Sequence, residues 1–320
     1  MLFRSRNLWR VAYAAEHKFL VNVAEMRHEE GMLFGHAWLD DDTFERDGKT
    51  IKTAARKSLV RVRLELPSAS RGQAWGTGTQ QGVAPLKDGL DTSYAWFGLI
   101  KRGNGQPNRN AIKAAMPSDN KSGESTRVLK LAVPTEHSAA IEQAMRLIHA
   151  FGQLGSRSRG GWGSVQVDGM NALDAEAMRR YAQPMAACLK RDWAMTLASD
   201  AGGLCVWQSQ QGYDSWDKAM RAVAGERKRV RTALKSISGK DLRAALGFAT
   251  PGRMPSPLRW KIIARADGTL GVRIFAMPHD LPADSKKTMP VADLAVAWTA
   301  VIRAINASTV LHRFSAGNQS

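Results

Sequence analysis

The feature that most constrains this sequence is a thirteen-residue stretch, Gly152 to Ser164, with five glycines, three serines and two arginines. It follows a segment of helical periodicity and precedes a segment that alternates like a strand. Glycines let the main chain approach a ligand closely and turn its N–H groups toward an anion. Serine hydroxyls and arginine guanidinium groups add donors that suit phosphate. The stretch therefore predicts a loop that grips a phosphate backbone, and a flexible connector with incidental arginines is the alternative.

We call this stretch the glycine-rich loop, and we predict RNA contacts throughout it. Arg157 and Arg159 are the predicted main anchors, while Trp162 either stacks on a base or fills a core. The order of elements excludes two nucleotide motifs, because no GK[ST] follows and the glycines come after a helix rather than after a strand. The predicted contacts are Gly152, Gly155, Ser156, Arg157, Ser158, Arg159, Gly160, Gly161, Trp162, Gly163 and Ser164.

The charge of the chain points to a polyanionic partner. Lys and Arg number 46 against 29 Asp and Glu, a formal net charge of +17. The stretches 101–130 and 215–235 each carry seven cations and two acids. A basic loop that orders on RNA and a basic helix would both suit backbone contacts, although a solvated surface is the alternative for each. The predicted contacts in these stretches are Lys101, Arg102, Arg109, Lys113, Arg227 and Arg231.

Several classes of protein are excluded. The chain lacks an apolar run long enough for a transmembrane helix, and its first ten residues lack the pattern of a secretory signal. Only Cys188 and Cys205 occur, outside any CxxC pair, which argues against a disulfide scaffold or a cysteine-rich zinc site. Asp40-Asp41-Asp42 is interpreted as an exposed turn, and the histidines show no metal-binding spacing. We therefore expect a cytoplasmic protein without catalytic residues, metal or cofactor, and with no membrane partner.

Periodicity predicts helices and strands in both halves, and hence an α+β fold. We expect two domains, at 1–170 and 171–320. Predicted helices cover 8–34, 136–153, 170–190 (broken at Pro184), 215–234 and 291–306, and predicted strands cover 58–66, 127–133, 164–168, 258–265 and 270–276.

The glycine-rich loop, with the helix before it and the strand after it, resembles the glycine-rich signature of the RAMP superfamily of CRISPR effector proteins. It is most similar to the first-subunit family of the type III-B Cmr complex. Other segments are similar to family segments in the same order. They are Arg6-Asn-Leu-Trp9-Arg10 (LRFWWR-like), Glu29 to Gly35 (E-x-LFG-like), Ser215 to Ala219 (the start of a second-domain helix) and Arg253 to Leu258 (R-x-SPL-like).

The resemblance implies two modified ferredoxin-like (RRM-like, βαββαβ) domains in tandem. It also implies a non-catalytic subunit of a type III CRISPR ribonucleoprotein in antiviral defence. The partners would be guide RNA near its 3′ end, captured single-stranded target RNA and other RAMP subunits. Arg6, Arg10 and Arg253 join the predicted RNA contacts.

The resemblance also implies an opening strand of the TPLFxGG type before the first helix, and this sequence begins inside that region. We expect that the true start lies upstream or that another polypeptide supplies the strand. Two other functions remain open: a RAMP endoribonuclease, and a generic nucleic-acid-binding protein outside CRISPR.

Overall fold

The structure is a computed structural model that describes residues 2–37, 42–52, 55–65, 128–155, 158–248, 254–281 and 289–315. The described residues form a mixed α+β fold, which confirms the predicted class. They divide into two compact units. The first takes the described residues up to 65 together with 128–147, and the second takes those from 148 onward. The predicted boundary between domains at residue 170 stays a prediction.

The first unit begins with two helices and continues with two antiparallel strand pairs. Strand β1 pairs antiparallel with β2, and β3 pairs antiparallel with β4. Its elements are α1 (Leu2–Glu16), α2 (Val23–Phe34), β1 (Thr43–Arg46), β2 (Lys49–Lys52), β3 (Arg61–Glu65) and β4 (Val128–Ala132), and a 3₁₀ turn (Thr135–His137) then leads into α3 (Ser138–Phe151), whose last turn belongs to the second unit.

The single helix predicted over 8–34 is wrong, because the chain breaks between α1 and α2. Lys18 and Phe19 adopt φ values of 51° and 64°, in the left-handed region that ends a right-handed helix. Asn22 then caps α2, and its side-chain oxygen accepts hydrogen bonds from the backbone N–H groups of Ala24 and Glu25. The apolar periodicity runs through the break, so it did not reveal the turn.

The second unit contains the longer strands. The predicted hairpin and both long helices are confirmed, whereas the helix predicted over 170–190 is replaced by two short helices with a strand between them. The elements are β5 (Gly160–Gly161), α4 (Ala175–Arg179), β6 (Ala182–Pro184), α5 (Met185–Cys188), β7 (Leu197–Asp200), β8 (Gly203–Leu204), β9 (Val206–Ser209), α6 (Trp216–Ala233), a 3₁₀ turn (Arg243–Leu246), β10 (Leu258–Ala264), β11 (Leu270–Ala276), α7 (Val291–Asn306) and β12 (Leu311–Arg313).

The main sheet of the second unit has the strand order β12-β9-β11-β10-β5. Its first four strands are antiparallel, and β5 adds to the edge in parallel with β10. Along the chain these four strands are connected as β9-α6-β10-β11-α7-β12. The core of this unit contains Trp260 from β10, Ile274 from β11, Met220 from α6 and Trp298 from α7.

None of the described helices is long and apolar enough to cross a membrane.

Candidate nucleic-acid interface

The glycine-rich loop docks on the edge of the main sheet as an added strand. Gly160 and Gly161 pair in parallel with Trp260 and Lys261. The ladder continues one residue earlier, where the Trp260 N–H donates to the Arg159 carbonyl at 3.1 Å. Gly161 has a φ of 95°, and a Cβ there would lie 3.2 Å from the sulfur of Met220. A glycine is therefore favoured where the loop crosses helix α6.

Lys261 holds together the two ends of the loop. Its ammonium group is fully buried and donates to the carbonyl of Val165 at 2.7 Å, just after the loop. It also donates to the carbonyls of Ile148 (3.2 Å) and His149, just before the loop. These two carbonyls belong to the last turn of α3, where a cation is favoured. The Ile148 carbonyl also accepts the backbone N–H of Gly152 at 2.7 Å. Burial lowers the pKa of Lys261 well below its ordinary value, and the charge of Arg273 lowers it further.

Ser164 also attaches the loop to strand β10. Its hydroxyl donates to the carbonyl of Gly161 at 2.7 Å and accepts the N–H of Ile262 at 2.9 Å. Gln166 likewise bonds through its side-chain amide to both backbone polar groups of Ala264. The strand predicted over 164–168 is therefore wrong, because side chains replace the backbone pairing that a strand would make with β10.

The other glycines of the loop differ in the space available for a side chain. A Cβ at Gly163 would overlap the carbonyl oxygen of Leu154, and one at Gly152 would overlap the backbone of Ile148. A Cβ at Gly155, by contrast, would meet no atom of the described residues within 4 Å. The backbone is therefore tightly packed at the base of the loop and open at Gly155.

Trp162 and Ser158 are oriented into the protein. Trp162 is half-buried, packs against the main core, and lies 6.3 Å from the ring of Trp216 in an edge-to-face arrangement. Ser158 is buried. Core filling is the role of Trp162 that these contacts favour, out of the two that the sequence left open.

Of the two predicted anchors, Arg159 lies within the described residues, and it faces a second arginine. It is half-buried, and one of its guanidinium N–H groups donates to the carbonyl of Ser256 at 3.3 Å. Because the ladder pairs Gly160 with Trp260, Arg159 lies beside Arg259. Burial lowers the pKa of Arg259 to about 9, and the charge of Arg159 contributes. Like charges placed opposite each other in a sheet are destabilising.

His279 joins these two arginines. It follows strand β11, where the Met277 N–H donates to the Pro257 carbonyl at 2.9 Å and so places His279 near the start of β10. Its pKa is lowered mainly by burial and further by the charges of Arg159 and Arg259, while Asp280 acts in the opposite sense. We call Arg159, Arg259 and His279 the basic cluster.

The remaining predicted contacts that the structure describes have protein partners. Arg10 forms a two-pronged ion pair with buried Glu30, at 2.6 and 3.0 Å. Arg6 donates to the carbonyls of Phe34 and Gly35. On α6, Arg231 reaches the carbonyl of Arg243 at 3.5 Å, and Arg227 is half-buried. Seven predicted contacts lie outside the described residues: Ser156, Arg157, Lys101, Arg102, Arg109, Lys113 and Arg253.

Sequence reasoning missed Arg259, Lys261, Arg273 and His279. A signal for two of them was present in strand β10, where cations at 259 and 261 alternate with apolar Leu258, Trp260 and Ile262. We interpreted this segment only as half of a hairpin. The burial of both cations depends on the loop that covers them, which alternation alone does not predict.

The acidic turn of the first unit also differs from expectation. Asp42 is buried, so the predicted exposed turn is wrong at this residue. It accepts from Arg56 at 2.7 and 2.8 Å and lies 2.6 Å from Nε2 of His36. Arg56 holds the pKa of this carboxyl well below its usual range. These contacts hold Asp42 against both His36 and Arg56. Asp40 and Asp41 lie outside the described residues.

Within the described part of the chain, no three His, Cys, Asp or Glu side chains are grouped so that they could hold a metal ion.

No family model matches this chain, and no curated protein and no solved structure matches it either.

Proposed function

We propose that this protein is a non-catalytic RNA-binding subunit of a type III CRISPR ribonucleoprotein effector, and that the basic cluster holds RNA phosphates. The observation that carries the proposal is the juxtaposition of Arg159 with Arg259 across the β5–β10 pair, with His279 beside them. A bound phosphate would interact favourably with both guanidinium groups and with the imidazolium form of His279. Guanidinium forks are well matched to phosphate oxygens.

The topology of the second unit supports a ferredoxin-like, RRM-like domain. A βαββαβ chain whose four strands lie in the order 4-1-3-2 is the arrangement expected of that fold, and β9, β10, β11 and β12 follow it. A second such domain in the first half remains part of the proposal. There, β3 and β4 would be its central hairpin, and α3 would be its second helix.

The proposed ligand is guide RNA near its 3′ end, captured single-stranded target RNA, or both. Other RAMP subunits would be neighbours in the complex, and the cytoplasm would be its location. Because base pairing between guide and target would supply specificity, the protein would need mostly backbone contacts.

The salt dependence of RNA binding tests the basic cluster. For single strands, log Kobs falls with log salt by about 0.7 per phosphate contact. Arg159→Ala should therefore weaken binding to unrelated RNA sequences alike and flatten the slope by about 0.7. Arg303→Ala removes the same charge from an exposed position on α7 and is the matched control. Equal slopes for the two variants would show that Arg159 is not a phosphate contact.

The same samples distinguish the other functions. RNA recovered intact after incubation with and without Mg²⁺ is the expected result, and shortened RNA would favour the endoribonuclease. Native purification should yield RNA of one discrete length together with other RAMP subunits. Heterogeneous RNA without protein partners would favour a generic nucleic-acid-binding protein.

A further inference from the structure

A cleft of about 250 Å³ opens in the second unit between the base of the glycine-rich loop and the far end of β10. This volume lies below the roughly 300–1,000 Å³ of sites for drug-sized ligands. The cleft is therefore of a size for one small, compact group. The walls that matter here are His149, Asp174, Gln208, Arg265, Arg273 and Phe314.

One wall of the cleft is flat and rigid. The guanidinium of Arg273 lies 5.2 Å from the centre of the Phe314 ring. Its Nε and Nη2 donate to Oε1 of Gln208 at 3.1 and 2.8 Å, and its Nη1 donates to the carbonyl of Ala150 at 3.3 Å. These bonds fix the plane of the guanidinium. Planar guanidinium and aromatic groups are the surfaces on which proteins stack nucleobases.

The polar groups of the cleft retain capacity to bind a ligand. His149 contacts Val167 through Nδ1, at 2.9 Å from its oxygen and 3.1 Å from its nitrogen. Among the described residues Nε2 has no hydrogen-bond partner, so this nitrogen can bind a ligand. The amide oxygen of Gln208 is occupied by Arg273, which leaves its NH₂ group as a donor. Oδ1 of Asp174 accepts the N–H of Ala177 at 2.7 Å, and Oδ2 remains as an acceptor.

We propose that this cleft binds one nucleobase, with Asp174 accepting a hydrogen bond from an exocyclic amine. Base edges present donors and acceptors together, and the cleft offers both kinds of partner beside a stacking surface. A carboxylate acceptor favours adenine, cytosine and guanine, whereas uracil has no exocyclic amine. The base comes from bound RNA, in which case this inference rests on the proposed function, or from a free nucleotide.

Titration with the four nucleoside 5′-monophosphates tests the cleft directly. The wild-type protein should bind AMP, CMP and GMP more tightly than UMP. Ala172→Trp places a large side chain at an exposed position of the cleft wall and should weaken binding at least tenfold. Ala295→Trp, at an exposed position on α7, is the matched control and should bind like the wild type. Failure of the wild type to bind any of the four, or unchanged binding by Ala172→Trp, would overturn the proposal.

Asp174→Asn tests the selectivity. Asp174 is the N-cap of α4, and asparagine caps helices as well as aspartate does, so the fold should be kept. The variant should lose the preference against UMP because an amide presents its NH₂ group as well as its oxygen. An unchanged order of affinities would contradict the role of Asp174.

Short RNAs with one abasic nucleotide identify the source of the base. If an abasic nucleotide at one position lowers RNA affinity, RNA supplies the base. If every abasic RNA binds with the same affinity and nucleotides still bind, a free nucleotide supplies it. Both outcomes support the proposed base-binding cleft. The result for Arg159→Ala is separate, since that variant should lose RNA affinity and keep nucleotide binding. If the RNA-binding role of the basic cluster is contradicted, nucleotide binding still tests the cleft independently.

Discussion

The ammonium nitrogen of Lys261 lies 2.7 Å from the carbonyl oxygen of Val165, one residue beyond the glycine-rich loop. The same nitrogen donates to two carbonyls of the α3 terminus, just before the loop. A residue in the middle of β10 therefore closes the loop at its base. The position of Arg159 beside Arg259 depends on this closure, because Arg159 belongs to the closed segment.

Replacing Lys261 should strongly destabilise the protein. Lys261→Met keeps the length of the side chain and removes a donor from three backbone carbonyls, of which only that of Ile148 retains another described donor, the Gly152 N–H. Each buried carbonyl left without a donor costs on the order of 1 kcal/mol or more, so we expect a loss of about 2–4 kcal/mol in the free energy of unfolding. Urea unfolding followed by tryptophan fluorescence measures it. Lys218→Met, which removes an exposed lysine paired with Asp214, should cost below about 1 kcal/mol; equal midpoints for both variants would contradict the closure.

Two of the loop glycines with a positive φ should respond differently to alanine. Gly155 and Gly163 have φ values of 79° and 63°, so both variants carry the cost of a left-handed alanine, roughly 1 kcal/mol. Gly163→Ala additionally forces its Cβ into the Leu154 carbonyl and disturbs the Leu154–Gly163 hydrogen bond of 2.7 Å. We expect Tm to fall by about 2–4 °C for Gly155→Ala and by clearly more for Gly163→Ala. Thermal unfolding of both variants measures these changes in Tm. Equal decreases in Tm would mean that the base of the loop is loosely packed.

RNA affinity should rise as pH falls from 8 to 6. The pKa of His279 is lowered by burial first and then by the two arginines. A bound phosphate favours the imidazolium form, so the pKa is higher in the complex and binding takes up a proton. The gain should be at most about tenfold per pH unit, measured by fluorescence anisotropy with labelled RNA.

The matched variants isolate this titration. His279→Gln should flatten the pH dependence, whereas His17→Gln, at an exposed position on the first unit, should retain it. Parallel curves for all three proteins would place the titrating group elsewhere.

Asp42 should set part of the acid sensitivity of the first unit. Arg56, followed by His36, keeps the pKa of Asp42 below its value in the unfolded chain, about 3.9. The carboxylate therefore stabilises the fold fully above that pH, and the stabilisation is lost as pH falls through the folded-state pKa. Asp42→Asn should be less stable at pH 7 and should lose less stability between pH 5 and 3. Unfolding at several pH values measures this, with Asp47→Asn, whose side chain is 90% exposed, as the control; identical acid slopes would refute the role.

Local pattern predicted the longest elements of the second unit, whereas the helix expected over 170–190 and the strand expected over 164–168 were wrong. The hairpin of β10 and β11 follows from two alternating segments around Ala266-Asp267-Gly268-Thr269, and α7 follows from the spacing of Leu294, Trp298, Val301 and Ile305. Ser215 was recognisable as the start of α6, where its hydroxyl accepts the N–H of Lys218. Each of these signals lies within one element, so it is fully present in the sequence.

The candidate site depended on contacts that no local pattern contains. By itself the sequence determined an α+β fold, a strongly basic chain and a glycine-rich segment between a helix and the second half. The tertiary structure alone decided that this segment becomes an edge strand, that Lys261 closes it from 96 residues away, and that Arg159 meets Arg259 and His279. The physical reason is that burial and like-charge contact arise from pairing between distant strands, and the register of that pairing is set by packing across the whole sheet.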